Sequence, residues 1–193
     1  MTKPTLFSRP AFPVETVEES PTARFVPGTL LPTPDGPRAV EDLAFGDRVV
    51  TRDGPRPIAK TDRTSCPRSE WTYRRETWPV RVPVGSLGNP RPLRLAPDQR
   101  VLLSGPTVAR ICAKPEVAIV ISDLVGLRGL IVERPLADLR YHVISFGTPV
   151  CVEAEGVPCD VGGRAKAVDR DKVREAYQAM HSAGEPPLRL DAN

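Results

Sequence analysis

The chain has 193 residues, which is enough for one domain with a core and two tails but too short for two full-sized domains. Its net charge of +3 is spread over interspersed cations and anions, which favours an ordinary solvated surface over a nucleic-acid-binding one. No stretch approaches the apolar length of a membrane-spanning helix or of a signal peptide, so we expect no membrane association and a cytoplasmic location. The 23 prolines predict a chain rich in strands and turns.

The first part of the chain, residues 1–22, is rich in proline and poor in apolar periodicity, which predicts an extended, mobile arm. From residue 23 to about residue 162, short Val, Ile and Leu runs alternate with Gly, Pro, Asn and Asp. This pattern is typical of an all-β domain built from hairpins. The Asp35-Gly36 and Asp53-Gly54 pairs predict tight turns, because glycine supplies the positive φ that such turns need. Residues 40–46 predict a single helical turn that ends at Gly46.

Residues 163–193 are predicted to hold one amphipathic helix, from about Arg170 to Ser182, followed by a proline-headed tail. Asp169 is placed to cap the helix and Gly184 to end it. The apolar residues at helical spacing are Val173, Ala176, Tyr177 and Met180.

The chain has four cysteines, none in a C-x-x-C pair, and only two histidines. These spacings do not suit a zinc site, so we expect no metal and no cofactor. In a reducing compartment the thiols are expected to be free and mostly buried, and Cys112 is predicted to be a strand residue. The cysteines are Cys66, Cys112, Cys151 and Cys159.

Several short motifs follow one another between Arg24 and Val161. They are Gly28-Thr29, TPDG at 33–36, VEDL at 40–43, GDRVVTRDG at 46–54, RPI at 56–58, PVRVPVGSLG at 79–88, RVLL at 100–103, EVAIVISDLVG at 116–126, Tyr141-His142 and AEG at 154–156. In this order and spacing they resemble bacterial Hedgehog/intein (Hint) domains. The resemblance implies a compact all-β fold of long bent strands and a site for self-processing.

In active members of that family, a Cys or Ser at the start of the domain attacks the preceding carbonyl. A Thr-x-x-His element then polarises the bond and protonates the leaving nitrogen. The resemblance places these three groups at Arg24, Ala96 and Gln99. A guanidinium stays protonated, alanine has no hydroxyl, and an amide cannot transfer a proton. We therefore expect no catalytic residue at these positions and interpret the chain as a degenerate member of the family.

The leading hypothesis is a non-catalytic scaffold or protein-interaction module, whose partner is another protein or a second copy. On the family pattern, a polar cleft is expected at the former active site, where it would bind a carboxylate or a partner's chain end. The cleft residues are Arg24, Asp98, Gln99 and Arg100.

Self-cleavage by an unconventional nucleophile is the alternative hypothesis. Thr22 or a cysteine is the candidate, and His142 would activate Cys151 or Cys159 if the two side chains met. We favour a structural role for His142, because Tyr141 and His142 occupy a stretch that looks structural in the family.

A third hypothesis is a small basic nucleic-acid-binding protein, because aromatic residues alternate with arginines in one segment. An amphipathic edge or protein contact is the interpretation we favour for this segment. The residues concerned are Arg68, Trp71, Tyr73, Arg74, Arg75, Trp78 and Arg81.

Overall fold

The computed structural model describes residues 22–163 and 168–185. The predicted arm, apart from Thr22, and the predicted C-terminal tail, apart from Glu185, lie outside the described residues. Its strands, in chain order, are β1 (Thr22–Phe25), β2 (Leu30–Thr33), β3 (Gly36–Ala39), β4 (Arg48–Thr51), β5 (Gly54–Pro57), β6 (Lys60–Cys66), β7 (Val80–Val82), β8 (Leu93–Leu95), β9 (Arg100–Ser104), β10 (Glu116–Val120), β11 (Ile131–Val132), β12 (Leu139–Ser145), β13 (Val150–Ala154) and β14 (Val157–Val161).

Two α-helices accompany these strands, α1 (Pro106–Cys112) and α2 (Arg170–Ser182). Short 3-10 turns lie between strands. They span Val40–Asp42, Arg68–Glu70, Arg75–Thr77 and Ile121–Leu124.

The strands form two six-stranded sheets and one separate ribbon. The order in the first sheet is β11-β7-β8-β1-β12-β6, and in the second it is β10-β9-β14-β13-β4-β5. The ribbon pairs β2 with β3. Strand β1 therefore lies inside the first sheet, between β8 and β12, and this position fixes Arg24 on a central strand. The predicted all-β architecture with a C-terminal helix is confirmed.

The register of β1 against β12 decides which residues share a face of the first sheet. Arg24 lies opposite Val143, and Phe25 lies opposite His142. Phe25 is fully buried in the main core, which also contains apolar residues of the second sheet and of α2. Since successive side chains point to opposite faces, the backbone directs Arg24 away from this core.

The two Asp-Gly pairs form hairpin turns, as predicted. Gly36 closes the turn between β2 and β3 with φ of +109°, and Gly54 closes the turn between β4 and β5 with φ of +95°. A side chain would be strained at either backbone conformation, so glycine is needed there.

Helix α2 has the predicted bounds, and its N-cap is Asp169, whose carboxylate accepts hydrogen bonds from the backbone N–H groups of Asp171 and Lys172. Its apolar face is buried against the β domain. The hydroxyl of Tyr177 donates to the backbone carbonyl of Ser86 at 2.7 Å and ties the helix to the loop after β7.

Three predictions of local structure were wrong or incomplete. Cys112 ends helix α1 instead of lying in a strand, because Pro106 is well placed at the first turn and Val108 and Cys112 bury the same helix face, four positions apart. The predicted turn at residues 40–46 is a 3-10 turn over Val40–Asp42 only. Strand β1 begins at Thr22, one residue before the predicted start of the domain.

No helix among the described residues is long and apolar enough to span a bilayer.

Candidate functional site

Arg24 holds the position at which the resemblance expects a nucleophile. Its guanidinium forms an ion pair with the carboxylate of Asp98, which lies 74 positions further along the chain. The same guanidinium lies over the ring of Tyr141, with its central carbon 5.9 Å from the ring centroid. The side chain is thus engaged by an anion and an aromatic face at once.

The segment from Ala96 to Gln99 forms a tight turn between β8 and β9. The backbone N–H of Gln99 donates to the carbonyl of Ala96 at 2.9 Å. Ala96 is fully buried in a small cluster that also contains Trp71 and Tyr141. A hydroxyl-bearing residue at this position would therefore have to be accommodated among packed rings.

Gln99 occupies the position expected for the histidine and is only 4% exposed. Its Nε2 donates to the backbone carbonyl of Arg100 at 3.0 Å, which fixes the orientation of the amide. Its Oε1 is buried and accepts no hydrogen bond from the described residues. A buried carbonyl without a donor is costly, so this atom is suited to accept an N–H or O–H from a ligand or from water.

A cleft of about 320 Å³ brings these residues together. It is lined by Thr22, Arg24, Asp98, Gln99, Arg100, Asp160, Gly162 and Gly163. The four residues predicted to form a polar cleft therefore lie around one cavity. Thr22, the candidate hydroxyl nucleophile, lies at the same cavity.

Asp160 is a cleft residue that the sequence analysis missed. Its side chain is fully buried, and its Oδ2 lies 3.2 Å from Nε of Arg100. The signal was present in the sequence, since Asp160 is the one charged residue in the otherwise apolar run of β14. Carboxylates are almost never fully buried unless they are paired, so an aspartate in this apolar run predicts a cationic partner.

His142 does not line this cleft. Because it lies opposite Phe25, it belongs to the other face of the first sheet, where it lines a separate cavity of about 290 Å³ with Val40, Leu43 and Arg63. Partial burial and the charge of Arg63 lower the pKa of His142 below its ordinary value. The imidazole is therefore not placed to act on a group at Arg24.

The thiol and base pair of the alternative hypothesis is not formed. His142 lies in β12 of the first sheet, whereas Cys151 and Cys159 lie in β13 and β14 of the second. Both thiols are buried, and burial raises the pKa of Cys159. A buried thiol in apolar surroundings is a poor nucleophile.

The chemistry available in the cleft is recognition by charge and hydrogen bonds. Two arginines and two aspartates face one another in pairs, and Thr22 contributes a hydroxyl. Neither an imidazole nor a thiol lines the cleft within the described part of the chain. The described residues contain no group of three or more His, Cys, Asp or Glu side chains that could hold a metal ion.

One family model and several solved structures are similar to this chain. Residues 23–161 match the family described as the Hint domain. The solution structure of a bacterial intein-like domain from Clostridium thermocellum is similar at 12% identity, with a TM-score of 0.48, over 72% of this chain and 99% of that one. The GSH-linked, splice-inactive variant of the AceL NrdHF class 3 split intein is similar at 14% identity, with a TM-score of 0.46, over 72% of this chain and 97% of that one. The MchDnaB-1 intein is similar at 17% identity, with a TM-score of 0.44, over 70% of this chain and 98% of that one.

No match was found among curated proteins. The family match covers most of the chain, including nearly all of both six-stranded sheets and the cleft residues Arg24, Asp98, Gln99, Arg100 and Asp160. The chain belongs to the Hint domain family.

Proposed function

We propose that this chain is a Hint-fold protein that does not process itself and serves as a scaffold or protein-interaction module. The observation that carries the proposal is the ion pair that Arg24 forms with Asp98. A protonated guanidinium paired with Asp98 stands where a thiol or hydroxyl would have to attack.

The two other replaced positions support the same proposal. Gln99 donates a hydrogen bond to a backbone carbonyl but has no proton to transfer to a leaving nitrogen. Ala96 packs against aromatic rings and offers no donor to a developing oxyanion. Catalytic groups that act together depend on one another, so the remaining residues of the site cannot take over their roles. The loss of all three groups therefore predicts negligible self-processing.

We propose that the cleft captures the chain end of a partner protein. The remaining N–H groups of Arg24 suit a terminal carboxylate, because a guanidinium has five donors and Asp98 uses only part of them. The buried Oε1 of Gln99 suits the last amide N–H of such a chain. A second copy of this protein is an equally suitable partner in chemical terms.

The test of the non-catalytic role is the intact mass of the purified full-length protein before and after prolonged incubation with a thiol or hydroxylamine. We expect the full-length mass to persist. Release of a fragment that ends just before Arg24, or just before Thr22, would overturn the proposal.

A matched variant shows whether the scaffold can still support the reaction. The triple variant Arg24→Cys, Ala96→Thr and Gln99→His restores the family's groups, and we expect it to release the residues before position 24. Because Ala96 is fully buried, threonine there is expected to cost roughly 1–3 kcal/mol of stability. The double variant Arg24→Cys and Gln99→His avoids this cost and is the control if the triple variant does not fold.

Self-cleavage from Thr22 is the second candidate function, and the favouring observation is that Thr22 lines the cleft. If the wild type loses its N-terminal residues, the Thr22→Val variant separates the two explanations. Cleavage that stops in this variant would assign the reaction to the hydroxyl of Thr22.

A further inference from the structure

Three arginines lie over tryptophan rings on the outer side of the first sheet. Between β6 and β7, residues 67–79 place Trp71 and Trp78 over the sheet face that carries Arg24 and Tyr141. The two indole rings meet edge to face, with centroids 6.3 Å apart. They form a small second core together with Cys66, Ala96, Leu139 and Tyr141.

Guanidinium groups form the outer layer of this second core. Arg68 and Arg134 each lie 5.7 Å from the ring centroid of Trp71, and Arg75 lies 5.8 Å from that of Trp78. We call these three side chains the arginine layer. At these distances each guanidinium is within cation–π range of its ring, and its N–H groups remain able to donate to a ligand.

The arginine layer has no carboxylate partner among the described residues. None of its three members forms an ion pair within residues 22–163 and 168–185, whereas neighbouring Arg74 pairs with Glu70 at 3.1 Å. Three neighbouring cations that have no counter-charge in the described part of the chain are suited to bind several carboxylates, because each guanidinium can form a bidentate contact.

An apolar groove borders the arginine layer and adds a second requirement for the ligand. The groove has a volume of about 550 Å³, and Trp78, Val132, Tyr141 and Pro97 form its apolar walls. Its charged lining residues are Arg24, Arg74, Arg75, Glu76 and Asp98, so cations outnumber carboxylates there. The indole N–H of Trp78 is buried and donates to no acceptor in the described part of the chain. A ligand that fills the groove would offer an apolar side chain and a carbonyl oxygen.

Single-stranded nucleic acid does not meet these requirements. Its bases need exposed aromatic faces, but Trp71 is only 5% exposed and is covered by two arginines. Tyr73 is the exposed aromatic residue of this segment, at 85%. One exposed ring does not form a stacking platform.

We infer that the arginine layer and the adjoining groove bind an acidic peptide segment of a partner protein, in which glutamate or aspartate alternates with apolar residues. The carboxylates contact Arg68, Arg75 and Arg134, and an apolar side chain enters the groove beside Trp78. This inference rests on the proposed interaction role and names the chemistry of the partner.

Intrinsic fluorescence provides a direct test, because Trp71 and Trp78 are the two tryptophans of the chain and both lie in this surface. The full-length protein is titrated with a short synthetic peptide of alternating glutamate and valine that lacks aromatic residues. We expect a saturable change in fluorescence and binding at least about tenfold tighter than for the same peptide with glutamine in place of glutamate. Calorimetry repeats the titration without relying on the indoles.

The decisive variant is Arg68→Gln, Arg75→Gln, Arg134→Gln, and its matched control is Arg48→Gln, Arg56→Gln, Arg110→Gln, which removes the same charge from exposed sites elsewhere. Circular dichroism checks that both fold. We expect the first variant to weaken peptide binding by about tenfold or more and the control to weaken it less than about twofold.

Three outcomes would overturn the inference. Equal loss in the two variants would mean unspecific charge attraction, and tighter binding of a single-stranded oligonucleotide would assign the surface to nucleic acid. If the acidic peptide binds only to the Glu15→Gln, Glu18→Gln, Glu19→Gln variant, the chain's own acidic residues occupy the arginine layer in the wild type. These outcomes are independent of self-cleavage, which is read from the intact mass.

Discussion

At the residue scale, Tyr141 joins the candidate site to the segment that covers it. Its ring lies under the guanidinium of Arg24, and its hydroxyl donates to the backbone carbonyl of Thr77 at 2.7 Å. Burial raises the pKa of this phenol above its ordinary value, so the hydroxyl keeps its proton and its role as a donor at neutral pH. The contact therefore holds residues 67–79 over the sheet.

We predict that Tyr141→Phe lowers the free energy of unfolding by about 1 kcal/mol, because the carbonyl of Thr77 loses its donor. Urea denaturation followed by tryptophan fluorescence measures the change. Tyr73→Phe is the matched control, since the side chain of Tyr73 is exposed. An equal effect of the two substitutions would contradict this role of the hydroxyl.

At the element scale, α2 shows how closely a local pattern can specify a helix. Its bounds could be predicted because an N-cap residue, an apolar face at helical spacing and a terminal glycine all lie within sixteen positions, Asp169–Gly184. Helix α1 was missed because its seven residues are too few to establish a period. Residues 67–79 have neither helical nor strand periodicity, and their conformation depends on the burial of Trp71.

We predict that Asp169→Ala costs about 1 kcal/mol of stability, because the backbone N–H groups of Asp171 and Lys172 lose their acceptor. Thermal denaturation followed at the helix band of the circular dichroism spectrum measures it. Gln178→Ala, at an exposed position in the same helix, is expected to be nearly neutral. A neutral Asp169→Ala variant would show that the cap contributes nothing in the whole protein.

At the scale of the whole molecule, one core joins the two sheets and α2. The core cluster contains Phe25 from the first sheet, Val152 from the second sheet and Met180 from α2. A helix whose apolar face belongs to the same core as both sheets is expected to unfold with them in one transition.

We predict that Met180→Ala lowers the free energy of unfolding by roughly 2–5 kcal/mol, because a fully buried side chain is removed from the common core. Helix signal and tryptophan fluorescence should shift together, since Trp71 and Trp78 report on the first sheet. Met180→Leu nearly conserves volume and is expected to cost less than about 1.5 kcal/mol. Loss of the helix signal before the fluorescence transition would show that α2 is a separate unit.

The sequence by itself determined the features that depend on neighbours along the chain. These include the two Asp-Gly hairpins, helix α2 and the identities of Arg24, Ala96 and Gln99 at the motif positions. Turn and cap preferences act over a few residues, so one sequence is enough to read them.

Only the tertiary structure decided which side chains meet. It brought Asp98 to Arg24, buried Asp160 beside Arg100, and placed His142 and Cys151 in different sheets. These outcomes depend on the register between strands that are far apart in the chain, because a shift of one residue moves every side chain to the other face. The pattern of a single strand does not contain the register of its partner.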